Sequence, residues 1–387
     1  MSTDAVTETD TPTPMELSEA GVYGAAFQTA REQVRSLITR HPGTFPTFTD
    51  AGAWHFEEDP WAPTWSAGFL TGQLWVFAEH DDTGWWLEQA QKYSELLEPR
   101  KHDGGTHDIG FLFTPSWGRW HAAAPSDRTR DVLIEAGRTM ARRFNEHGQY
   151  LSTWVDPGST FIDVMMNIGI IYQAGHLSRD ENLTKIATAH ALTTRRYLVR
   201  GDGTSVHEAW FDPQTGVFQR TATHQGYRAD SSWVRGHAWG IYGFGTAYSW
   251  TGDDRFLDTA RLLADTYIAR TGDRLVPPND WDDPQPRFAY ESSAGAITAS
   301  ALLQLADLIG GASGDTYRRY AYRLVAKLSG PEFLAEPGTG WEGVLRHATY
   351  HFNNQLGVDE SVMWGDYYFV EALHRILRGR ETAIAES

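Results

Sequence analysis

Two kinds of helical segment alternate along this chain, and that alternation limits its fold more than any single motif does. One kind is charged, with apolar residues at i, i+3, i+4 and i+7, near residues 21–40, 86–97, 127–144, 181–199, 254–270 and 315–328. The other is poor in charge and rich in Gly, Ala, Ser and aromatics, near 64–80, 110–117, 160–175, 232–250, 292–309 and 363–377. A one-faced helix packs on the outside of something, whereas a helix that is apolar or small on most sides must be surrounded. Six outer and six inner helices, interleaved, predict an all-α (α/α)6 toroid of six hairpins whose inner helices line a cup. Strand signals are few; residues 216–220 read as one arm of a hairpin after Asp212-Pro213-Gln214. Residues 1–15, acidic and rich in Thr and Pro, predict a disordered leader, and 16–387 a single domain. A doubly wound fold would need repeated β-branched runs and a phosphate loop, and Gly68-Phe69-Leu70-Thr71-Gly72 is not followed by Gly-Lys-Ser/Thr.

The 387 residues carry a net charge of −17, which argues against nucleic acid and anionic membrane surfaces as partners. It also means that a site for an anionic ligand must supply its own positive charge. There are no cysteines, so disulfides, thiolate zinc sites and a cysteine nucleophile are excluded. There is no basic and apolar leader and no uncharged apolar run of about 18 residues, which argues against a secretory signal and a membrane span. The 16 tryptophans exceed the usual share; most are expected in the core, and the surplus suits a carbohydrate cavity.

The densest run of polar and aromatic side chains is Gln225-Gly226-Tyr227-Arg228-Ala229-Asp230-Ser231-Ser232-Trp233-Val234-Arg235-Gly236-His237-Ala238-Trp239. Flat rings beside amide and guanidinium donors suit an acidic sugar: stacking for the ring, paired donors for a carboxylate. The competing reading of Arg235 is an ion pair with Asp230; Ser231 and Ser232 are expected to cap the helix that follows. Asp108, in His107-Asp108-Ile109-Gly110-Phe111, and Asp163, in Phe161-Ile162-Asp163-Val164-Met165-Met166-Asn167, open two inner helices among apolar neighbours. Each is either a helix N-cap or a carboxyl whose pKa burial raises toward that of a working acid. Two carboxyls converging on one cup are the usual arrangement for glycoside chemistry. His207 and His224 lie near the rich run, and His347 and His351 flank Tyr350. No metal-binding spacing and no Gly-x-Ser-x-Gly elbow is present, so no metal or cofactor is expected.

Together these motifs resemble the unsaturated glucuronyl hydrolases, glycoside hydrolase family 88. The likeness rests on the two aspartate motifs, on Gln225-Gly226-Tyr227 with Asp230-Ser231-Ser232-Trp233-x-Arg235-Gly236-x-Ala238-Trp239, on Glu291-Ser292-Ser293-Ala294, and on Met363-Trp364-Gly365-Asp366-Tyr367-Tyr368-Phe369. It implies a cytoplasmic enzyme acting on the 4,5-unsaturated uronate that polysaccharide lyases leave at the non-reducing end of di- and oligosaccharides. It further implies that Asp163 is the general acid and base and Asp108 the second carboxylate. Gln225, Arg235, Trp239, His207 and His224 would then hold the uronate, with Trp65 and Trp233 as further aromatic walls and Tyr350 and His351 beside them. The chain departs from the family pattern in having Glu291 for Asp and His237 for Gln. An unsaturated rhamnogalacturonyl hydrolase and a non-catalytic sugar-binding toroid are the alternatives; the sequence sets no oligomeric state.

Overall fold

The charge-poor segments are the enclosed ones. A computed structural model describes residues 14–56, 64–285 and 290–386; of the expected leader, residues 1–13 lie outside the described residues. In chain order the helices are α1 (Pro14–Arg40), α2 (Ala67–Ala78), α3 (Trp85–Leu97), α4 (Ile109–Phe113), α5 (Arg119–Ala123), α6 (Asp127–Ala141), α7 (Val164–Asn167), α8 (Gly169–Ser178), α9 (Glu181–Tyr197), α10 (Val234–Thr251), α11 (Asp254–Thr271), α12 (Ser292–Ile309), α13 (Gly311–Leu328) and α14 (Met363–Glu386). α2 packs on α4, α4 on α7 and α8, these on α10, α10 on α12, α12 on α14, and α14 back on α2, which closes the inner ring. α3, α6, α9, α11 and α13 pack outside α2, α4 with α8, α8, α10 and α12 respectively, and α1 lies against α14 and α13.

Glycine sets the spacing of the inner ring. A Cβ on Gly68 of α2 would stand 2.1 Å from the Phe111 carbonyl oxygen of α4, and one on Gly110 of α4 would stand 2.4 Å from the Asn167 Cα of α7. Both are closer than any side chain can come, so these backbones touch only because no side chain intervenes. α12 is long and apolar enough to cross a membrane, but 78% of it is buried, as the middle of such a ring must be.

The small strands β1 (Thr49–Asp50), β2 (Ala53–Trp54), β3 (Phe144–Asn145), β4 (Tyr150–Leu151), β5 (Ser159–Phe161), β6 (Glu208–Phe211), β7 (Phe218–Ala222), β8 (Ala348–His351) and β9 (Leu356–Glu360) form four antiparallel sheets in the connections. The hairpin expected after Asp212 is present: β7 pairs with β6, and β6 also pairs with β5. The helix expected over 160–175 is shorter. Its first residues are drawn into β5 by pairing with β6, and the helix starts only after Asp163. The helix over 110–117 passes into a wide π turn at Thr114–Gly118, because Pro115 has no N–H to give to an α-helical ladder. The expected caps Ser231 and Ser232 are a correction. Trp233 is the N-cap of α10 and makes no side-chain cap; the Ser231 hydroxyl instead donates to Asp280 at 2.6 Å.

Candidate active site

The inner helices begin at one mouth of the ring, where Trp65, Asp108, Asp163, Arg235 and Trp364 gather. Outer helices α6, α9 and α11 start with side-chain caps from Ser126, Asp180 and Asp253. Asp108 and Asp163 hold the N-cap positions of α4 and α7, yet neither side chain makes a cap bond. This separates the two readings of these aspartates: good capping residues stand in capping positions and are left free for something else.

Asp163 Oδ1 is buried and without a hydrogen-bond partner among the described residues. Burial pushes the Asp163 carboxyl up to about 7; nearby Arg235 opposes the rise, and the negative charge of Asp108 adds to it. Asp108 is 8% exposed, accepts from the Thr106 hydroxyl at 2.8 Å, and lies 3.5 Å from His107 Nε2. Asn167, not foreseen as a site residue, ties the two helix starts together. Its side-chain oxygen accepts the Phe111 N–H at 2.8 Å, and its amide donates to the Asp163 carbonyl at 3.3 Å. Asp366 is also pushed up to about 7 by burial, but its two oxygens each accept a backbone N–H, from Val344 and Leu345, at 2.9 Å. Asp366 fastens a loop, whereas Asp163 has an oxygen to spare.

Arg235, in the first turn of α10, is 2% exposed and does not pair with Asp230, which binds Arg228 at 2.5 Å instead. Its guanidinium lies over the Trp233 ring at 4.4 Å and the Trp364 ring at 5.0 Å, and donates to Gln225 Oε1 and to the carbonyls of Thr349 and Tyr350. Gln225 and Tyr350 are thereby brought to it as expected. Three of its five N–H donors are thus engaged by protein oxygens, which fixes Arg235 as a buried charge beside Gln225.

The aromatic residues sort by exposure. Trp65 and Tyr350 are half-buried and bonded to each other, indole N–H to phenol oxygen, at 3.2 Å. Trp233 and Trp239 are 2% and 1% exposed, so neither offers an open face; Trp239 packs on Phe111 and Tyr368 behind the site. Trp233 lies under the Arg235 guanidinium and Trp239 behind it, as walls of the mouth. Trp154, which the motifs did not single out, is 64% exposed, and its backbone N–H donates to His107 Nδ1 at 3.4 Å. A lone tryptophan in a loop carries no periodic signal that would have marked it.

Three histidines stand around this mouth. His207 is buried on Trp233 and Phe161, and burial holds it well below the usual imidazole range. Its Nδ1 accepts the backbone N–H of His224 at 3.3 Å, which puts the ring proton on Nε2, an atom buried without a partner among the described residues. His224 is raised by Glu208, whose Oε2 lies 3.3 Å from its Nε2, and half-buried His351 is lowered by burial and by the charges of Arg235 and His224. The two departures lie away from the aspartates. Glu291 caps α12 through Ala294 N–H at 2.6 Å and accepts Thr349 N–H at 3.2 Å. His237 bonds the Leu263 carbonyl at 2.8 Å. Among the described residues no three His, Cys, Asp or Glu side chains converge as metal ligands.

The closed ring of six helical hairpins thus carries at one mouth two aspartates that do not cap their helices, a buried arginine, and a half-buried tryptophan and tyrosine. No protein-family model matches the chain. Known relatives do: it is 34% identical over 327 residues to the unsaturated glucuronyl hydrolase of Bacillus sp. (strain GL1), covering 81% of this chain and 86% of that protein. It is 31% identical over 320 residues to the unsaturated glucuronyl hydrolase of Formosa agariphila, covering 80% of this chain and 79% of that one. The crystal structure of the Bacillus sp. GL1 enzyme superposes with a TM-score of 0.87 at 29% identity, over 92% of this chain and 97% of that one. The chain belongs to the unsaturated glucuronyl hydrolases.

Proposed function

We propose that this enzyme removes a 4,5-unsaturated uronic acid from the non-reducing end of lyase-generated oligosaccharides by hydrating the C4=C5 bond, with Asp163 as the acid and base. In such a sugar the double bond is a vinyl ether, because C5 also carries the ring oxygen. A vinyl ether takes a proton at the carbon remote from oxygen, here C4, and leaves an oxocarbenium centre at C5. Protonated Asp163 gives that proton, and its carboxylate then takes one from the water that adds to C5, so the residue is restored. The product is a hemiketal; it opens to a C5 ketone, and the C1 hemiacetal so formed releases the remaining sugar as an alcohol. Asp108 supplies the negative charge that helps to keep Asp163 protonated.

What carries this proposal is Asp163: a carboxyl at a helix start that does not cap it, with a free buried oxygen and a pKa pushed up to about 7. An acid of that pKa is poised to give and retake a proton near neutrality. The charge conflict set by the net −17 is answered locally by Arg235, by His224, and by the positive ends of the inner-helix dipoles at the mouth. Half-buried Trp65 and Tyr350 would stack on the ring, with Gln225 and the His207 Nε2–H as neutral donors. The test is decay of the ultraviolet absorbance of the conjugated C4=C5 bond in an unsaturated disaccharide. Wild-type protein should abolish it and Asp163→Asn should not; normal turnover by Asp163→Asn would remove the proposed role.

A further inference from the structure

We infer that Glu208 is a positioning residue, which holds His224 as a cation beside Asp163; the inference rests on Asp163 being the acid and base. Glu208 sits in β6, the central strand of its sheet, paired with Phe161 on one side and Ala222 on the other. It is 0% exposed. Its Oε1 accepts the Ser159 hydroxyl at 2.7 Å, and Ser159 in turn accepts the Thr153 hydroxyl at 2.9 Å, so one half of the carboxylate is fixed by neutral donors. Its Oε2 faces His224 Nε2 at 3.3 Å. Among the described residues it pairs with no lysine or arginine, and a buried carboxylate needs a positive partner. His224 is the group that can be one.

His224 is exposed enough to meet a ligand, 41% at the side chain, yet it is not loose. Its backbone N–H donates to His207 Nδ1, its carbonyl accepts Asn353 Nδ2 at 2.7 Å, and its ring stands against Phe161 at 5.3 Å. The ionisable groups around it are Glu208 from β6, Asp163 from the start of α7, His207 and His351, with Arg235 acting on the last two and on Asp163. The two carboxylates favour its charged form; His207, His351 and Arg235 are neutral or positive and do not. Glu208 therefore decides the balance, and through it the mouth gains a second cation for an anionic sugar.

A structural role for Glu208 would survive Glu208→Gln, which keeps the acceptor for Ser159; a charge role would not. We expect the His224 titration, read by NMR without substrate, to fall by about one pH unit or more in Glu208→Gln. We expect KM at neutral pH to rise roughly five- to twentyfold with kcat within about threefold, and the pH above which KM climbs to move down. His224→Gln should match that KM and lose the pH dependence. Glu208→Gln/His224→Gln should be no worse than His224→Gln alone, because Glu208 acts only through His224. An unmoved His224 titration, or losses that multiply in the double variant, would overturn the inference. His224→Gln with wild-type KM would overturn it too, even where Glu208→Gln fails to fold. The NMR titration does not depend on catalysis, so normal turnover by Asp163→Asn would strike the mechanism and leave the Glu208–His224 link standing.

Discussion

Two carboxyls in the same ring, half-buried Asp163 and buried Glu371, are driven in opposite directions. Asp163, at the mouth, is pushed up to about 7 by burial. Glu371 lies eight residues into α14, about 12 Å deeper at 1.5 Å per residue. Burial pushes it up as well, but Arg375, Arg119 and hydrogen bonds from Ser300 and Tyr367 outweigh that and bring it down to about 2. Arg119 stands 2.9 Å from it, Ser300 Oγ 2.5 Å, and Tyr367 and Tyr242 hydroxyls 3.0 Å each. Deep in the barrel every acceptor site is answered and the charge is permanent. At the mouth one is left unanswered and the proton can come and go. Burial is common to both; partners make the difference between a fastener and a reagent.

The largest effect should come from Asp163→Asn, which is expected to lower kcat by about 10²–10⁴-fold, measured on an unsaturated disaccharide. The same variant tests the comparison through stability. A carboxyl raised in the folded state stabilises fully below its unfolded pKa of about 3.8, and that contribution is lost as pH rises through about 7. At about 1.4 kcal/mol per pKa unit this amounts to a few kcal/mol, so Asp163→Asn should melt higher than wild type at alkaline pH and draw level in acid. Glu371 has the reverse sign: its contribution is complete above about 4.5 and disappears as pH falls toward about 2. Glu371→Gln should cost about 3–5 kcal/mol at neutral pH by leaving Arg119 and Arg375 uncompensated, with KM and the kcat pH profile unchanged in the folded fraction. A Glu371 variant with a shifted pH optimum would break the contrast between the two regions.

Gly110→Ala sharpens the contrast, because its Cβ would meet the Asn167 backbone and force α4 away from α7. Overpacking of this kind costs about 1–3 kcal/mol, and a displacement of Asp108 relative to Asp163 should lower kcat by at least about tenfold. Smallest of all, Trp154→Ala should leave kcat and the melting temperature unchanged, because the residue is 64% exposed and fills no core. Each is read by steady-state kinetics alongside thermal melts.

The fold was legible because helix periodicity and charge survive in the sequence wherever a helix has a wet side. The outer helix expected over 254–270 is found at Asp254–Thr271 for that reason. Local pairing was not legible: nothing in Ser159-Thr160-Phe161 announces that β6 will claim it from the helix. The aspartates were legible as polar residues in apolar runs, but only the structure shows that they do not cap. Glu208 was hidden because a carboxylate in a strand next to Ala209-Trp210-Phe211 looks like an ordinary exposed position until the sheet places it at 0% exposure. Which faces of Trp233 and Trp239 are covered was not legible, because the sequence names the rings and not what packs on them.

Closure of the ring also dictates when activity can appear during synthesis. A nascent chain that has emerged as far as Ile309 already carries Asp108, Asp163, Gln225 and Arg235, yet Trp65 still lacks the Tyr350 hydroxyl that lies 285 residues further on, and α2 still lacks α14. Every earlier stage is an open arc with an apolar inner edge, exposed to whatever else is sticky in its surroundings. The helix that closes the ring, α14, is therefore the keystone, and the completed mouth arrives with it.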